Sequence, residues 1–558
     1  MAWIPPGPRL GADLAALLCQ PFPSWGRASF VLSVFTPAGP RVIRTEGTEL
    51  GKMNGGKLGR GAMATLLTLA LLATVLLPGI SGCARKQALR VAINTDPDGL
   101  DPYKTVAAAT FNLTRNIYDT LVQTDPAGRL GPDLATEWKL APDGLTWTFR
   151  LRPDVYFHNG RKMTADDVKW SLEQMRDPKV HKRAADFAAI KEVQVAGPDQ
   201  VTITLAKPSA AFLSNLAMGW AAIAPKEAAA TLSQNPVGTG PFKFVEWKKD
   251  QEITLERFGR YFDPKAAKVD RVVFQVIPDA AGQLMALKAG TVDVVPHVPP
   301  ENAKEVQNSP SLKLQVVPMN AVQILAINNK KKPFDDVRVR QALALAVDKQ
   351  VVIDGSAWGY GKPVASHMPP GSDYYVDLLA QHPTDVAKAK ALLAQAGYAG
   401  GFKTTIVLPE PYMVHRKAGQ IIAEQLKAIG VKADLKVVDW ATWLSEVYNG
   451  RNYELTVIGH TGRLDPDPWL NRYVSTSKED YMNFSDPEYD QIITRAAVSA
   501  DPAQRKQLYR RAQEILADQA PAVYLQAPAQ VVGLNKSVEG WQVYPIDIYD
   551  LRGVSKGK

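Results

Sequence analysis

The chain has 558 residues, 46% hydrophobic and 22% charged, with 40 Gly, 41 Pro and 2 Cys. That balance excludes a disordered or collagen-like chain, and the length allows about three domains of roughly 100–200 residues each. Cys19 and Cys83 are too few for a disulfide framework or a four-cysteine zinc site. A formal charge of +9 raises nucleic-acid binding, but the only run of three basic residues, Lys330-Lys331-Lys332, meets Pro333 at once. It reads as a solvated turn, and no nucleic-acid partner is expected.

The first marked feature is a charge-free apolar stretch, residues 62–80, preceded by Lys57 and Arg60 and closed by Ile80-Ser81-Gly82-Cys83. A basic segment, an apolar segment and small residues before a break describe a secretory signal. The stretch is also long enough to span a bilayer, so a retained anchor is the rival reading. The closing four residues resemble a bacterial lipobox, which implies a lipid thioether on Cys83 as the mature N-terminus. Met53 opens a signal of ordinary length, so residues 1–52 read as an extension from a misassigned start. Residues 53–82 are then the signal peptide, and 83–87 the lipidated tether. Either way, the bulk of the chain is expected outside the cytoplasm at a membrane surface.

Strands and helices then interleave. Leu89, Val91 and Ile93 alternate with Arg90 and Ala92, as a strand would. Trp147, Phe149 and Leu151 predict one bulky strand face, and Val201, Ile203 and Leu205 another. Asp336 opens a helix whose apolar face is Val339, Ala342, Leu343, Ala346 and Val347. The alanine-rich run after Thr384 stops at Gly397, and a helix over 420–429 stops at Gly430. Val431, Ala433, Leu435 and Val437 alternate directly after it. This order predicts α/β domains rather than a sandwich or a bundle. Two proline-bearing segments read as linkers between lobes, Ile277-Pro278-Asp279-Ala280 and Gln526-Ala527-Pro528.

Catalytic signatures are absent. There is no H-E-x-x-H, G-x-S-x-G, GK[ST] phosphate loop or G-x-G-x-x-G after a strand, and the seven histidines form no helical metal-ligand pair. No metal or cofactor is expected, and a secreted hydrolase becomes the weakest function class. The chain is instead rich in aromatics beside turn residues, Trp220, Trp358, Trp440, Trp443 and Trp469 among them. Each singly reads as core packing. Together they suit a large pocket that grips a ligand by apolar and stacking contacts.

Several segments carry a resemblance. Residues 145–172, LTWTFRLRPDVYFHNGRKMTADDVKWSL, resemble the signature of the family 5 extracellular solute-binding proteins, the dipeptide, oligopeptide and nickel receptors of ABC importers. Asp101-Pro102, the segment IYDTLV at 117–122, GTGPF at 238–242 and PFDDVRVRQA at 333–342 follow in that family's order. So do AKALL at 389–393, Gly397-Tyr398 and Pro521-Ala522. The resemblance implies a two-lobed periplasmic-binding-protein-like α/β fold of type II, in the large peptide-binding cluster, with a third subdomain inserted in the first lobe. It places lobe I at 88–118, 232–278 and 528–558, the inserted subdomain at 119–231, and lobe II at 279–527. The implied function is non-enzymatic: a monomer closes its lobes on a peptide or similar solute and delivers it to an ABC permease and ATPase. A peptide-binding sensor or chaperone without transport remains the alternative.

The same resemblance points to site residues and to a departure. Dipeptide receptors carry an Asp after a G-x-x-G stretch, where Gly459-His460-Thr461-Gly462 is followed here by Arg463. Their carboxylate-binding Arg has no counterpart in Leu408-Pro409-Glu410-Pro411-Tyr412. Both anchors for a short zwitterion are thus missing, and free dipeptides are not the expected main ligand. Arg463 suits a carboxylate or phosphate, or else pairs with Asp465 or Asp467 and only shapes its loop. Asp465-Pro466-Asp467-Pro468 reads as turn chemistry before an ammonium site. Trp440 aligns with an aromatic of the dipeptide pocket, and Tyr412, Glu410, Asp465 and Asn320 complete the expected lining. His415 and His460 read as surface or hydrogen-bonded rings before nickel-chelate ligands.

Overall fold

A computed structural model describes residues 88–461, 464–546 and 548–557. The expected extension, signal peptide, tether and Cys83, as well as Arg463, lie outside the described residues. Among the described residues no helix is long and apolar enough to cross a membrane.

The strand foreseen at Leu89, Val91 and Ile93 is Ala88–Ile93, with Leu89 and Val91 fully buried. It runs parallel to Arg271–Val276, Ala88 opposite Arg271 and Ile93 opposite Val276. Phe242–Lys248 and Glu252–Arg257 extend this side as an antiparallel ribbon. A separate four-stranded antiparallel sheet takes Ala135–Leu140, Thr146–Leu151, Gln200–Leu205 and Ile190–Gly197 in spatial order. Val201, Ile203, Leu205, Phe149 and Leu151 line its buried face, whereas Trp147 stays half-buried. Helix Ala165–Met175 packs on that sheet, opened by a reciprocal box between Thr164 and Asp167. One continuous core joins this four-stranded sheet to the first sheet.

The second half centres on Ala321–Ile327, every residue of it buried, paired antiparallel to Leu455–Thr461. Lys403–Pro409 runs parallel to Leu455–Thr461 and to Lys432–Val438. Helices cover this sheet. Val337–Ala346 starts at Asp336, whose carboxylate accepts from the Arg338 N–H, and all five foreseen apolar positions are buried. Val386–Gln395 is capped by Asp385. Met413–Leu426 starts one to two turns earlier than its pattern suggested and continues to Gly430, at φ +80°. Leu435 and Val437 alternate as foreseen but are 40% and 51% exposed. Lys432–Val438 is the edge strand of the sheet, and the face carrying Leu435 and Val437 is left open to solvent.

The halves share one 14-residue strand, Ala522–Asn535. Residues 522–526 pair with Ala321–Ile327, and residues 529–535 with Leu312–Pro318. The other crossing differs from the sequence expectation. Asp279 caps a helix, Ala280–Lys288, through a 2.6 Å bond from the Gly282 N–H, and Leu284 and Leu287 of that helix are buried against Val295 and Val531. Val294–Val295 and Leu312–Pro318 then pair with the first half's strands. Residues 279–318 therefore belong with the first half, and the chain crosses at Met319 and Asn320 instead of at 278. The Met319 N–H donates to the Pro528 carbonyl at 2.8 Å, so the two crossings lie side by side.

Candidate functional site

Three parallel strands of the second half end at one edge of its sheet, where α/β folds place ligands. Lys403–Pro409 leads into Glu410 and Tyr412, Lys432–Val438 into Asp439 and Trp440, and Leu455–Thr461 into the loop that carries Arg463. Ala321 stands opposite Thr461, so Asn320 leaves from that same edge. Backbone direction thus gathers five of the six expected lining residues, Glu410, Tyr412, Trp440, Asn320 and Asp465, onto one side of the sheet or just beyond it.

Trp440 and Tyr412 are brought into contact, edge to face at 5.2 Å and 78°. Trp440 is half-buried and lies flat on Trp443, at 5.0 Å and 5°. Trp443 is buried, and its indole N–H donates to Thr456 Oγ1 at 3.0 Å, while Thr456 donates to the Val407 carbonyl at 2.7 Å. That chain fixes the inner indole and so sets the plane of the outer one. Glu410 is exposed, and its backbone N–H bridges to the Val438 carbonyl at 2.8 Å.

Behind this wall His415 and His460 are partly buried and hydrogen-bonded, as the hydrogen-bonded reading expects, and His367 is fully buried. His415 Nε2 accepts from the Gly459 N–H at 3.1 Å, and Nδ1 meets the Gln323 amide at 2.8 Å. Burial pulls its pKa down to about 4, so the ring is neutral. His460 contacts His367 at 3.2 Å through one ring nitrogen and the Tyr481 hydroxyl at 3.2 Å through the other. Tyr473 closes the chain on His367 at 2.8 Å. Burial, with Arg472 nearby, pushes both rings well below the ordinary histidine range. With both nitrogens of His415 and His460 engaged, neither ring presents a lone pair for a metal.

A cavity of about 780 Å³ lies between the halves. The first half contributes the hairpin tip at 126–130, Trp147, Leu213 and Tyr544; the second contributes Tyr374, Leu464 and Asp465; Met319 and Asn320 form the wall at the crossing. Leu464 also packs beside Met218 and Ile546 of the first half. A backbone bond from the Ala210 N–H to the Ala497 carbonyl, 3.0 Å, joins the halves beside it.

Asp465 lines this cavity, but its carboxylate is already committed. Arg505 Nη2 reaches both oxygens at 2.9 and 3.0 Å, and the Asp467 N–H donates to Oδ1 at 2.9 Å. Arg505 also donates to the Tyr374 hydroxyl at 3.0 Å and the Ala496 carbonyl at 3.1 Å. The pair is almost fully buried, 8% exposed on each side. Asp465 therefore anchors the second-half rim to helix Pro502–Gln519, and the turn chemistry of 465–468 is visible in that Asx contact. Sequence reasoning missed Tyr374, Arg505, Arg129 and Tyr544, since nothing in their local patterns marks a cavity.

With this geometry in place, likeness to known proteins is informative. Residues 129–483 match Bacterial extracellular solute-binding proteins, family 5 Middle. The Di/tripeptide-binding protein 1 of Pseudomonas aeruginosa is 30% identical over 534 residues, 88% of this chain and 99% of that protein. The Heme-binding protein A of Haemophilus influenzae is 32% identical over 502 residues, 82% of this chain and 90% of that one. In structure, the periplasmic binding protein DppA from Helicobacter pylori, in complex with the peptide STSA, superposes with a TM-score of 0.71 at 29% identity, covering 85% of this chain and 99% of that one. The chain belongs to the family 5 extracellular solute-binding proteins: it is a non-enzymatic, solute-binding component of an ABC importer.

Proposed function

We propose that this receptor closes its two halves on a peptide or a peptide-sized solute and hands it to an ABC permease and its ATPase. The observation that carries the reading is the interlobe cavity of about 780 Å³, walled by both halves and by the crossing at Met319 and Asn320. Its size falls in the range of about 300–1,000 Å³ typical of small-ligand sites. Ligand favours closure only through contacts that exist in the closed state, and a site walled from both halves supplies them. Relatives bind di- and tripeptides or heme by their names, so the fold accommodates apolar planar solutes as well as peptides. Trp440, Tyr412 and Glu410 lie outside this cavity's lining, and Trp440, held flat on Trp443, would offer such groups a stacking surface only if the solute extends along the sheet edge to it.

Free dipeptides are disfavoured as the main ligand, because the acidic anchor is Arg463 and the loop at Glu410 has no arginine. Losing one partner of a desolvated charge pair costs about 2–5 kcal/mol. Arg463 suits an anionic group on the solute. Lipidation of Cys83 would hold the receptor at the outer face of the membrane, where several acyl chains make a durable anchor. Calorimetric titration against dipeptides, longer peptides and heme tests the solute reading. Longer peptides or heme should bind at micromolar strength or better; a dipeptide that binds as tightly overturns the missing-anchor argument. Cys83→Ser should release the protein from membrane fractions, and its retention there would refute the lipid anchor.

A further inference from the structure

A second cavity, about 210 Å³, lies in the second half between helices Val337–Ala346 and Val386–Gln395 and the start of strand Ala522–Asn535. It shares no lining residue with the interlobe cavity. Its volume is several times the ~30 Å³ of a water molecule in the liquid, enough for a small polyatomic ion and too little for a peptide.

The charges around it are unbalanced. Lys349 opens helix Lys349–Ala357 and turns its ammonium inward, where Nζ donates to the Val364 carbonyl at 2.8 Å. Among the described residues no carboxylate pairs with it, although burial costs an ammonium heavily unless a counter-charge is present. Lys388 and His382 stand beside it; burial first, and then both lysines against the pull of Asp518, disfavour a proton on the imidazole. The one carboxylate on the lining is Asp518, which is 62% exposed and 3.6 Å from His382 Nε2. Gln381 adds a side-chain amide, while that of Gln341 is held by the Asp518 carbonyl at 2.8 Å. Desolvation brings the Lys349 amine down to about 8, as expected of an ammonium whose counter-ion is not supplied by the protein.

We infer that this cavity is a binding site for a small oxyanion, inorganic phosphate or a short carboxylate, held by Lys349 within and by Lys388 and His382 at the rim. Lysine suits such a site as a compact point charge with three donors, of which one is used here. The site shares no lining residue with the interlobe cavity, and an occupant would bridge helices Val337–Ala346 and Val386–Gln395, which supply Gln341 and Lys388 to its wall.

Two measurements on the full chain decide it. Thermal unfolding at matched ionic strength, with inorganic phosphate or succinate replacing chloride, should show a saturable rise in Tm for one anion or both. Lys349→Met should abolish that rise, Lys388→Met should reduce it, and Trp440→Ala should leave it intact. A response to phosphate alone identifies a phosphate site, and a response to succinate alone a carboxylate site. No response beyond chloride, or an equal response in Lys349→Met, overturns the proposal. Should Lys349→Met fail to fold, acetylation of the unaltered protein at pH 8 gives a second readout by peptide mass. Saturating anion should slow acetylation of Lys349 about tenfold or more while leaving exposed lysines unchanged. An unchanged rate with both anions also overturns the site.

Discussion

The two halves of this receptor are tied together internally by different chemistry. In the first half, distant segments meet at buried charges. Arg552 pairs with Asp550 and reaches Asp133 at 3.4 Å, while Arg115 lies 3.7 Å from Asp133. Asp119 sits among them, accepting from Thr239 at 3.0 Å and Tyr261 at 3.2 Å. In the second half the buried ion pair Asp465–Arg505 stands at the cavity rim, and the depth beneath Trp443 is filled by neutral rings, with Tyr473, His367, His460 and Tyr481 joined in series. A charge cluster is sensitive to the loss of any one member, whereas a ring cluster loses packing by degrees.

The contrast extends to pH. Burial, reinforced by Asp133, raises Asp119 to about 7, whereas Asp550 is brought down to about 2 because Arg552 outweighs the cost of burial. As pH rises from about 4 to 7, the unfolded chain releases the Asp119 proton before the folded one does, so this group costs stability over that window. Asp550 works oppositely: its contribution is present above about pH 4 and disappears as pH falls towards 2. The buried histidines of the second half, and His158 in the first, are neutral when folded. Their unfolded counterparts take up protons below about 6.5, so these groups cost stability on acidification.

The sharpest way to break this contrast is Arg552→Met, which leaves Asp550 buried without its partner and Asp133 with Arg115 alone. It should lower the unfolding free energy by about 3–5 kcal/mol at pH 7, measured in urea. A cost as small as that of a surface substitution would remove the charge cluster from the account. Asp119→Asn should gain on the unaltered protein as pH rises from 4 to 7, by no more than about 1.4 kcal/mol per pH unit. A constant difference across that range would show that Asp119 does not titrate there. For the ring side, Trp443→Phe removes the indole donor from Thr456 and should cost about 1–3 kcal/mol, with little dependence on pH. The smallest effect belongs to Trp440→Ala. Its stability loss should stay near 1 kcal/mol, and solute affinity should drop about three- to tenfold if the ligand stacks there. Unaltered affinity would take Trp440 off the ligand surface.

Periodicity and caps made most elements legible. Val201, Ile203 and Leu205 alternate because one face is buried, and Asp336 announces a helix because its carboxylate satisfies a free N–H group. The first crossing was illegible for a local reason. Pro278-Asp279 has the composition of a linker, yet Asp279 caps a helix, while the true crossing is two ordinary residues between strands. Alternation at Leu435 and Val437 revealed a face but not whether anything covers it. In the site, Tyr412 and Trp440 follow strand ends, a position that sequence order can give. The grip of Arg505 on Asp465, across 40 residues of sequence, depends on tertiary geometry alone.

The strand Ala522–Asn535 also has a consequence for how the protein is made. Its first residues complete the sheet of one half, and its last residues sit between Val294–Val295 and Leu312–Pro318 in the sheet of the other. Neither half can close its sheet until that late segment is available to pair. Most of the chain must wait in a partly assembled form, with long-range pairings such as Val295 to Gly533 still to be made. A stop codon ahead of residue 522 would therefore leave two incomplete halves rather than one intact half and one lost.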